Sequence, residues 1–225
     1  MKAKKLGAEP LSEVYLEDCV KGLKRFPDNY FDLAIVDPPF GIGYSELVGK
    51  KKAKHGWKER AASQWDNETP KAEYFEQLFR VSKNQIIWGG NYFDLPPTRC
   101  FLVWDKVQRI DQADCEFAWT SFKGSARIFQ YARGNESGFA PKLKGVERAG
   151  INIHPTQKSI ALYTWILSKF AKEGDLILDT HLGSGSSRIA AFKGGFNFVG
   201  FEIDENYYEA QEKRFQIFIS QLRIF

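Results

Sequence analysis

The chain has 225 residues, 43% of them hydrophobic, a formal net charge of +4 and three cysteines. That length suits one sizeable α/β domain, because two would need a linker and no composition break supplies one. No apolar run approaches the roughly 20 residues that cross a bilayer. The basic start Met1-Lys2-Ala3-Lys4-Lys5 lacks the apolar segment of a secretory signal. An odd cysteine count without metal-type spacing points to reduced thiols in the cytoplasm, with Cys19, Cys100 and Cys115 as small buried apolar groups. The modest positive charge permits a nucleic-acid partner without demanding one.

In chain order, Val14 to Leu16 reads as a short strand and Phe31 to Val36 as a buried one ending at Asp37. A helix is expected over Pro70 to Val81, with Thr69 as cap, Pro70 in the first turn, and Tyr74/Leu78 and Phe75/Phe79 at i,i+4 spacing. Gln85 to Trp88, Cys100 to Trp104, Glu116 to Thr120 and Arg127 to Tyr131 are short runs rich in β-branched and aromatic residues, as strands are. A second helix should follow Pro155, with Tyr163, Ile166, Leu167 and Phe170 on one face. The last third reads as a βαβ unit: strand Leu176 to Asp179, turn Gly183-Ser184-Gly185, helix Ser186 to Lys193, strand Phe198 to Glu202. A terminal helix then carries Tyr208, Phe215, Phe218 and Leu222 on one side. Alternating strands and helices predict a mostly parallel sheet covered on both faces, a Rossmann-like α/β fold in a single domain spanning 1–225. The stretches 41–67 and 132–152 lack periodicity and read as long functional loops.

Two local patterns carry chemistry. In Asp179-Thr180-His181-Leu182-Gly183-Ser184-Gly185 a buried strand runs into a tight turn that opens a helix, and glycines there let the backbone approach a ligand closely. Glu202 ends the next strand about 20 residues on, where a carboxylate can accept ribose hydroxyls. A nucleotide-binding oxidoreductase would share these features, but Arg188 stands where its third glycine would be.

The second pattern is Asp37-Pro38-Pro39-Phe40. Consecutive prolines fix φ and remove two donors, leaving a rigid edge of free carbonyls at the carboxyl end of a buried strand. An exocyclic amine on a base is a poor nucleophile because its lone pair is delocalised into the ring. The Asp37 carboxylate and the Pro38 carbonyl could hold both N–H groups and favour a tetrahedral nitrogen, with Phe40 stacked on the base. Positioning and electrostatics suffice for such a transfer. Leu95-Pro96-Pro97-Thr98 has the same breaker without the acid and reads as a plain strand stop.

In this order the two motifs resemble the amino-methyltransferases of DNA, specifically the β group, over nearly the whole chain. Leu16-Glu17-Asp18-Cys19 and His154-Pro155-Thr156-Gln157-Lys158-Ser159 are similar to further segments of that family. The resemblance implies a class I methyltransferase fold using S-adenosylmethionine. It places Asp18, Cys19, Asp37, Thr156, Lys158, Asp179, Gly183, Ser184, Gly185 and Glu202 in the cofactor site, Asp18 against its adenine and Thr156 and Lys158 at its methionine carboxylate. Asp37, Pro38, Pro39 and Phe40 are by the same match catalytic. The family often has Asp-Pro-Phe before its glycines, and here the residues are Asp179-Thr180-His181, so no role is carried to Thr180 or His181. Ser159 replaces the family's proline and Phe40 its frequent tyrosine.

The resemblance further implies a DNA substrate whose target base is flipped out of a duplex. Lys50, Lys51, Lys52 and Lys54 follow the catalytic segment and are expected to contact phosphates. Sequence readout falls to the 41–67 and 132–152 loops, with no metal and with a homodimer allowed. Asp at the head of the tetrapeptide favours adenine N6, with cytosine N4 as the competing acceptor and a catalytically silent DNA-binding scaffold as the reading from another class.

Overall fold

A computed structural model describes residues 9–43, 66, 68–107, 113–132 and 157–222. The strands are β1 (Ser12–Leu16), β2 (Leu33–Val36), β3 (Gln85–Trp88), β4 (Leu102–Asp105), β5 (Cys115–Thr120), β6 (Arg127–Gln130), β7 (Leu176–Asp179) and β8 (Asn197–Glu202). The helices are α1 (Cys19–Leu23), α2 (Ala72–Val81), α3 (Ile160–Phe170), α4 (Ser186–Gly194) and α5 (Glu205–Leu222). The strands form one sheet in the order β1-β8-β7-β2-β3-β5-β4-β6. Pairing is parallel from β1 to β3 and between β4 and β6, while β5 runs antiparallel to both its neighbours, β3 and β4. The mostly parallel sheet is therefore a mixed one. The antiparallel β4–β5 pair arises because its connection is short, with Asp105 opposite Cys115.

Period-two alternation splits the core between the two faces. Leu33, Ile35, Ile86 and Trp88 pack on α3 through Leu162 and Ile166, and on α4 through Ala190 and Ala191. Ala34, Val36, Ile87 and Phe201 face the other way, onto Leu23 of α1 and Tyr74, Leu78 and Val81 of α2. Each face buries enough side chains to hold its helices without a strong amphipathic stripe on α4. On α5, Phe215 is buried against Phe192 of α4, ring centroids 5.4 Å apart. Arg188, where a dinucleotide motif would carry glycine, reaches Gln211 at 3.0 Å and lies over the Phe215 ring at 3.7 Å, joining α4 to α5.

Several local expectations change. Helix α2 starts two residues late, with Lys71 as its N-cap and no capping side chain; Thr69 instead lies against Gly41. Ser159 caps α3 by accepting from Leu162 N at 3.0 Å, a role that proline could not fill. Cys100 is buried and Cys19 partly so, but Cys115 is exposed, because it opens β5 at the sheet end next to the loop. No helix among the described residues is long and apolar enough to cross a membrane.

From β2 the chain steps through α2 to β3 on one side, and from β7 through α4 to β8 on the other. The neighbouring carboxyl ends of β2 and β7 thus flank the switch point where ligands bind in open α/β sheets. Helix α1 closes one wall. Its Gly22 lies so near Phe201 that a Cβ would come within 2.2 Å of the ring. Alanine ordinarily gains about 0.5–1 kcal/mol over glycine inside a helix. Here Gly22→Ala should instead destabilise by roughly 1–3 kcal/mol, the cost of overpacking. Urea unfolding checks this, and an unchanged or raised midpoint would contradict the contact.

Candidate active site

Asp37 leaves the end of β2 and Pro38 and Pro39 follow without N–H groups, so the next donors belong to Phe40 and Gly41. Both donate to one carboxylate oxygen, Asp66 Oδ1, at 2.7 and 3.1 Å, while Gly43 N donates to the Asp66 carbonyl at 3.0 Å. Asp66 is buried and ties down the far end of the tetrapeptide. The Phe40 ring rests on Gly89, whose φ is +68° and where a Cβ would stand 2.1 Å from Phe40 Cε1. Only glycine meets both conditions. Tyr92 stacks on Phe40 with centroids 5.0 Å apart and planes 13° off parallel.

Behind this edge runs a chain of alternating charges. Lys158 Nζ is 2.5 Å from Asp37 Oδ2 and 3.1 Å from Glu116 Oε2, and Glu116 Oε1 is 2.8 Å from Lys106 Nζ. The Lys158 ammonium also lies 5.2 Å from the Trp88 ring centre and 5.9 Å from that of Phe40. Burial works against the charge on Lys158, but the Asp37 and Glu116 carboxylates outweigh it and its pKa is raised. Burial also works to raise Glu116, and Lys158 and Lys106 together overcome it and hold the group at about 2. The Asp37 pKa is raised, because burial outweighs the opposing pull of Lys158. The second oxygen of Asp37, Oδ1, is buried and has no hydrogen-bond partner among the described residues. An acceptor left that way costs about 1–3 kcal/mol unless a ligand satisfies it.

The glycine loop follows β7, with Gly183 at φ +50° and Gly185 at φ +72°. Glu202, at the end of β8, accepts from Gly183 N at 2.7 Å through Oε2, and from Ile203 N and Asp204 N at 2.9 and 3.0 Å through Oε1. Three of the roughly four acceptor positions of a carboxylate are thus used. One remains, on Oε2, rather than the two that a pair of ribose hydroxyls would fill directly. Asp179 fastens the loop from behind, accepting from Ser187 Oγ at 2.5 Å and His181 N at 3.1 Å, and burial pushes its pKa to about 7.

These walls enclose a cavity of about 570 Å³. It brings together Asp37, Pro38, Pro39 and Phe40 from one motif with Gly183, Ser184 and Glu202 from the other. Asp18, Cys19 and Lys158 line it as well. Asp18 also caps α1, accepting from Lys21 N at 2.9 Å, and burial keeps the Cys19 thiol neutral with a pKa of about 12. Asp179 and Gly185 do not line the cavity; they shape its loop. Thr156, Lys50, Lys51, Lys52 and Lys54 lie outside the described residues. Lys158 is paired with two carboxylates rather than standing free for a ligand carboxylate. Sequence reasoning missed Glu116, Lys106 and Asp66. The visible signal for Glu116 was a lone acid inside the otherwise uncharged run Cys115–Thr120.

The sequence model of the family described as DNA methylase matches residues 103–213. The Type II methyltransferase M2.MboI of Moraxella bovis is 23% identical over 241 residues, covering 90% of this chain and 86% of that protein. The crystal structure of the M1.HpyAVI–SAM complex shares the fold with a TM-score of 0.55 at 19% identity, over 90% of this chain and 98% of that one. PvuII DNA methyltransferase, a cytosine-N4-specific enzyme, does so with a TM-score of 0.58 at 15% identity, over 92% and 87%.

The charge chain has a pH signature. The folded-state pKa of Glu116, about 2, lies below its ordinary 4.5, so its contribution is present above about pH 4.5 and is lost as pH falls toward 2. In Lys158→Met both carboxylates keep their burial and lose their shared cation; Asp37 then takes up a proton more readily than in the unfolded chain, and Glu116, left with Lys106 alone, more readily than in the wild type. The variant should be destabilised by roughly 3 kcal/mol at pH 8, and by progressively less as pH falls through the carboxylate range. Denaturation at several pH values checks this; a pH-independent penalty would contradict it.

Proposed function

We propose, from the premise that this chain belongs to the S-adenosylmethionine-dependent DNA amino-methyltransferases, that it methylates adenine N6 of a base flipped out of duplex DNA. The observation that carries the reading is Asp37 Oδ1, a buried acceptor without a partner among the described residues, at the edge of the cavity.

The residues present fit a bound methyl donor. Gly183 keeps side-chain bulk out of the loop, Glu202 retains one acceptor position beside it, and Asp18 and Cys19 line the cavity. The volume, about 570 Å³, is within the range of small-molecule sites. When bound, S-adenosylmethionine supplies a methyl group on a positively charged sulfur. Asp37 Oδ1 accepts one N–H of the target amine and the Pro38 carbonyl the other, drawing the nitrogen toward tetrahedral geometry and freeing its lone pair. As nitrogen gains its bond to carbon it gives up one N–H proton, which Asp37 Oδ1 is placed to accept. Phe40 offers a flat face for the base, worth roughly 1–3 kcal/mol of stacking. A base that stacks on the face held by Tyr92 takes the place of Tyr92.

Adenine is chosen on the resemblance alone: Asp rather than Ser at the head of the tetrapeptide is more similar to the adenine-N6 enzymes than to the cytosine-N4 enzymes. The fold does not decide, since the cytosine-N4-specific PvuII enzyme shares it. The silent-scaffold reading is disfavoured because Asp37, Gly183 and Glu202 are all present and all face one cavity. The single domain would grip duplex phosphates with Lys50, Lys51, Lys52 and Lys54 and read sequence through the 41–67 and 132–152 loops.

Incubation with S-adenosylmethionine and mixed-sequence DNA, followed by digestion and mass spectrometry, should yield N6-methyladenine. Asp37→Ala should bind the donor yet give at least a hundredfold less product, on the order of what loss of an oriented acceptor costs. N4-methylcytosine alone would refute the adenine assignment, and an active Asp37→Ala would remove Asp37 from the chemistry.

A further inference from the structure

Behind the glycine loop, Tyr74 of α2 is buried with its hydroxyl 2.7 Å from Thr180 Oγ1, and Thr180 Oγ1 is 2.9 Å from His181 Nδ1. Among the described residues neither hydroxyl has a further hydrogen-bond partner. Only one direction of donation leaves no buried O–H idle: Tyr74 donates to Thr180, and Thr180 donates to His181 Nδ1. The reverse, with Nδ1–H donating to Thr180 and Thr180 to Tyr74, strands the Tyr74 proton in the core, where an unused donor is costly. His181 Nδ1 is therefore an acceptor, and the single ring proton sits on Nε2.

The ring lines the cavity and is braced edge-on by Tyr74, with centroids 5.3 Å apart and planes at 73°. Burial lowers its pKa to about 4, so it is neutral. Nε2 has no partner among the described residues and is not among the polar atoms sealed from solvent. Asp18, which lines the same cavity, is the carboxylate whose charge reaches the ring. An N–H donor beside a carboxylate acceptor complements an amino group beside an unprotonated ring nitrogen. Adenine presents that edge.

We infer that His181 reads the adenine of the methyl donor, with Nε2–H donating to a ring nitrogen, and that Tyr74 and Thr180 are positioning residues that fix its tautomer. This rests on the methyl-donor reading of the cavity. His181 is thereby a specificity-determining residue in a loop position to which the sequence assigned no role.

Calorimetric titration of the intact protein with S-adenosylhomocysteine and its 1-deaza and 7-deaza adenine analogues tests it, without DNA so that a flipped base cannot contribute. His181→Phe, which keeps a ring and loses the N–H, should bind S-adenosylhomocysteine about tenfold more weakly. His181→Gln, which returns an N–H near Nε2, should recover most of that loss. One deaza analogue should bind wild type about tenfold more weakly than S-adenosylhomocysteine, and His181→Phe with no further loss. Equal affinities of wild type and His181→Phe would overturn the inference alone, as would the same deaza penalty in both proteins. No binding by wild type would overturn the donor reading and the inference with it. Imidazole ¹⁵N spectra of the free protein, which has three histidines, should show His181 protonated at Nε2 and a mixture of tautomers in Thr180→Val. An Nδ1-protonated ring in wild type would overturn the relay.

Discussion

Lys158 carries its charge in the interior of the protein between two carboxylates, Asp37 and Glu116, and Glu116 leans in turn on Lys106. Removing one such charge from water costs several kcal/mol, and only near-contact pairing offsets it. The four groups come from the end of β2, the segment before α3, the first residues of β5 and the residue after β4. They meet only when the sheet has its observed order, with β5 inserted antiparallel between β3 and β4. The chain of charges therefore ties the reactive edge to the half of the sheet that carries no glycine loop. It also distinguishes the two oxygens of one carboxylate: Asp37 Oδ2 is held by Lys158, and Oδ1 has no partner among the described residues.

Two further carboxylates act on backbone rather than on charge. Asp66 collects the N–H groups of Phe40 and Gly41, and Glu202 those of Gly183, Ile203 and Asp204. Each fixes a loop that proline or glycine has left short of internal hydrogen bonds. The result is a cavity whose two walls are set independently, one by a buried ion chain and one by a carboxylate–amide cluster. On the proposed function, the acceptor edge and the donor pocket are thus held in place before either ligand arrives, which is where positioning catalysis draws its strength.

The parts legible in the sequence are those encoded locally. Asp37-Pro38-Pro39-Phe40 sits at the end of an apolar run, and Gly183, Gly185 and Glu202 occur in a strand–turn–helix–strand order that survives without tertiary information. The limits of β3 and β7 follow from apolar runs bounded by polar residues and were read to the residue. The antiparallel course of β5 was not legible, because strand direction depends on connection length and on which edge is vacant. Glu116 and Lys106 escaped for the same reason: their partners lie far along the chain, and a lone acid in a strand reads as a solvated face. Thr69 and Pro70 looked like a helix start because propensity favours them there, but packing against Gly41 took Thr69 away. Thr180 and His181 depart from the resembling family, and only the contact with Tyr74 shows what they share.

The proposed chemistry requires Asp37 to accept from the amine as a carboxylate, although burial raises its pKa and Lys158, 2.5 Å away, only opposes that rise. The direct measurement is the side-chain carboxyl resonance of Asp37 in protein labelled with ¹³C at aspartate, assigned by its loss in Asp37→Asn and followed across pH. The expected result is an ionised carboxylate at neutral pH that becomes protonated there when Lys158 is replaced by methionine. A carboxyl already protonated at neutral pH in the wild-type protein would contradict it, since that group would donate to the amine's surroundings instead of accepting from the amine.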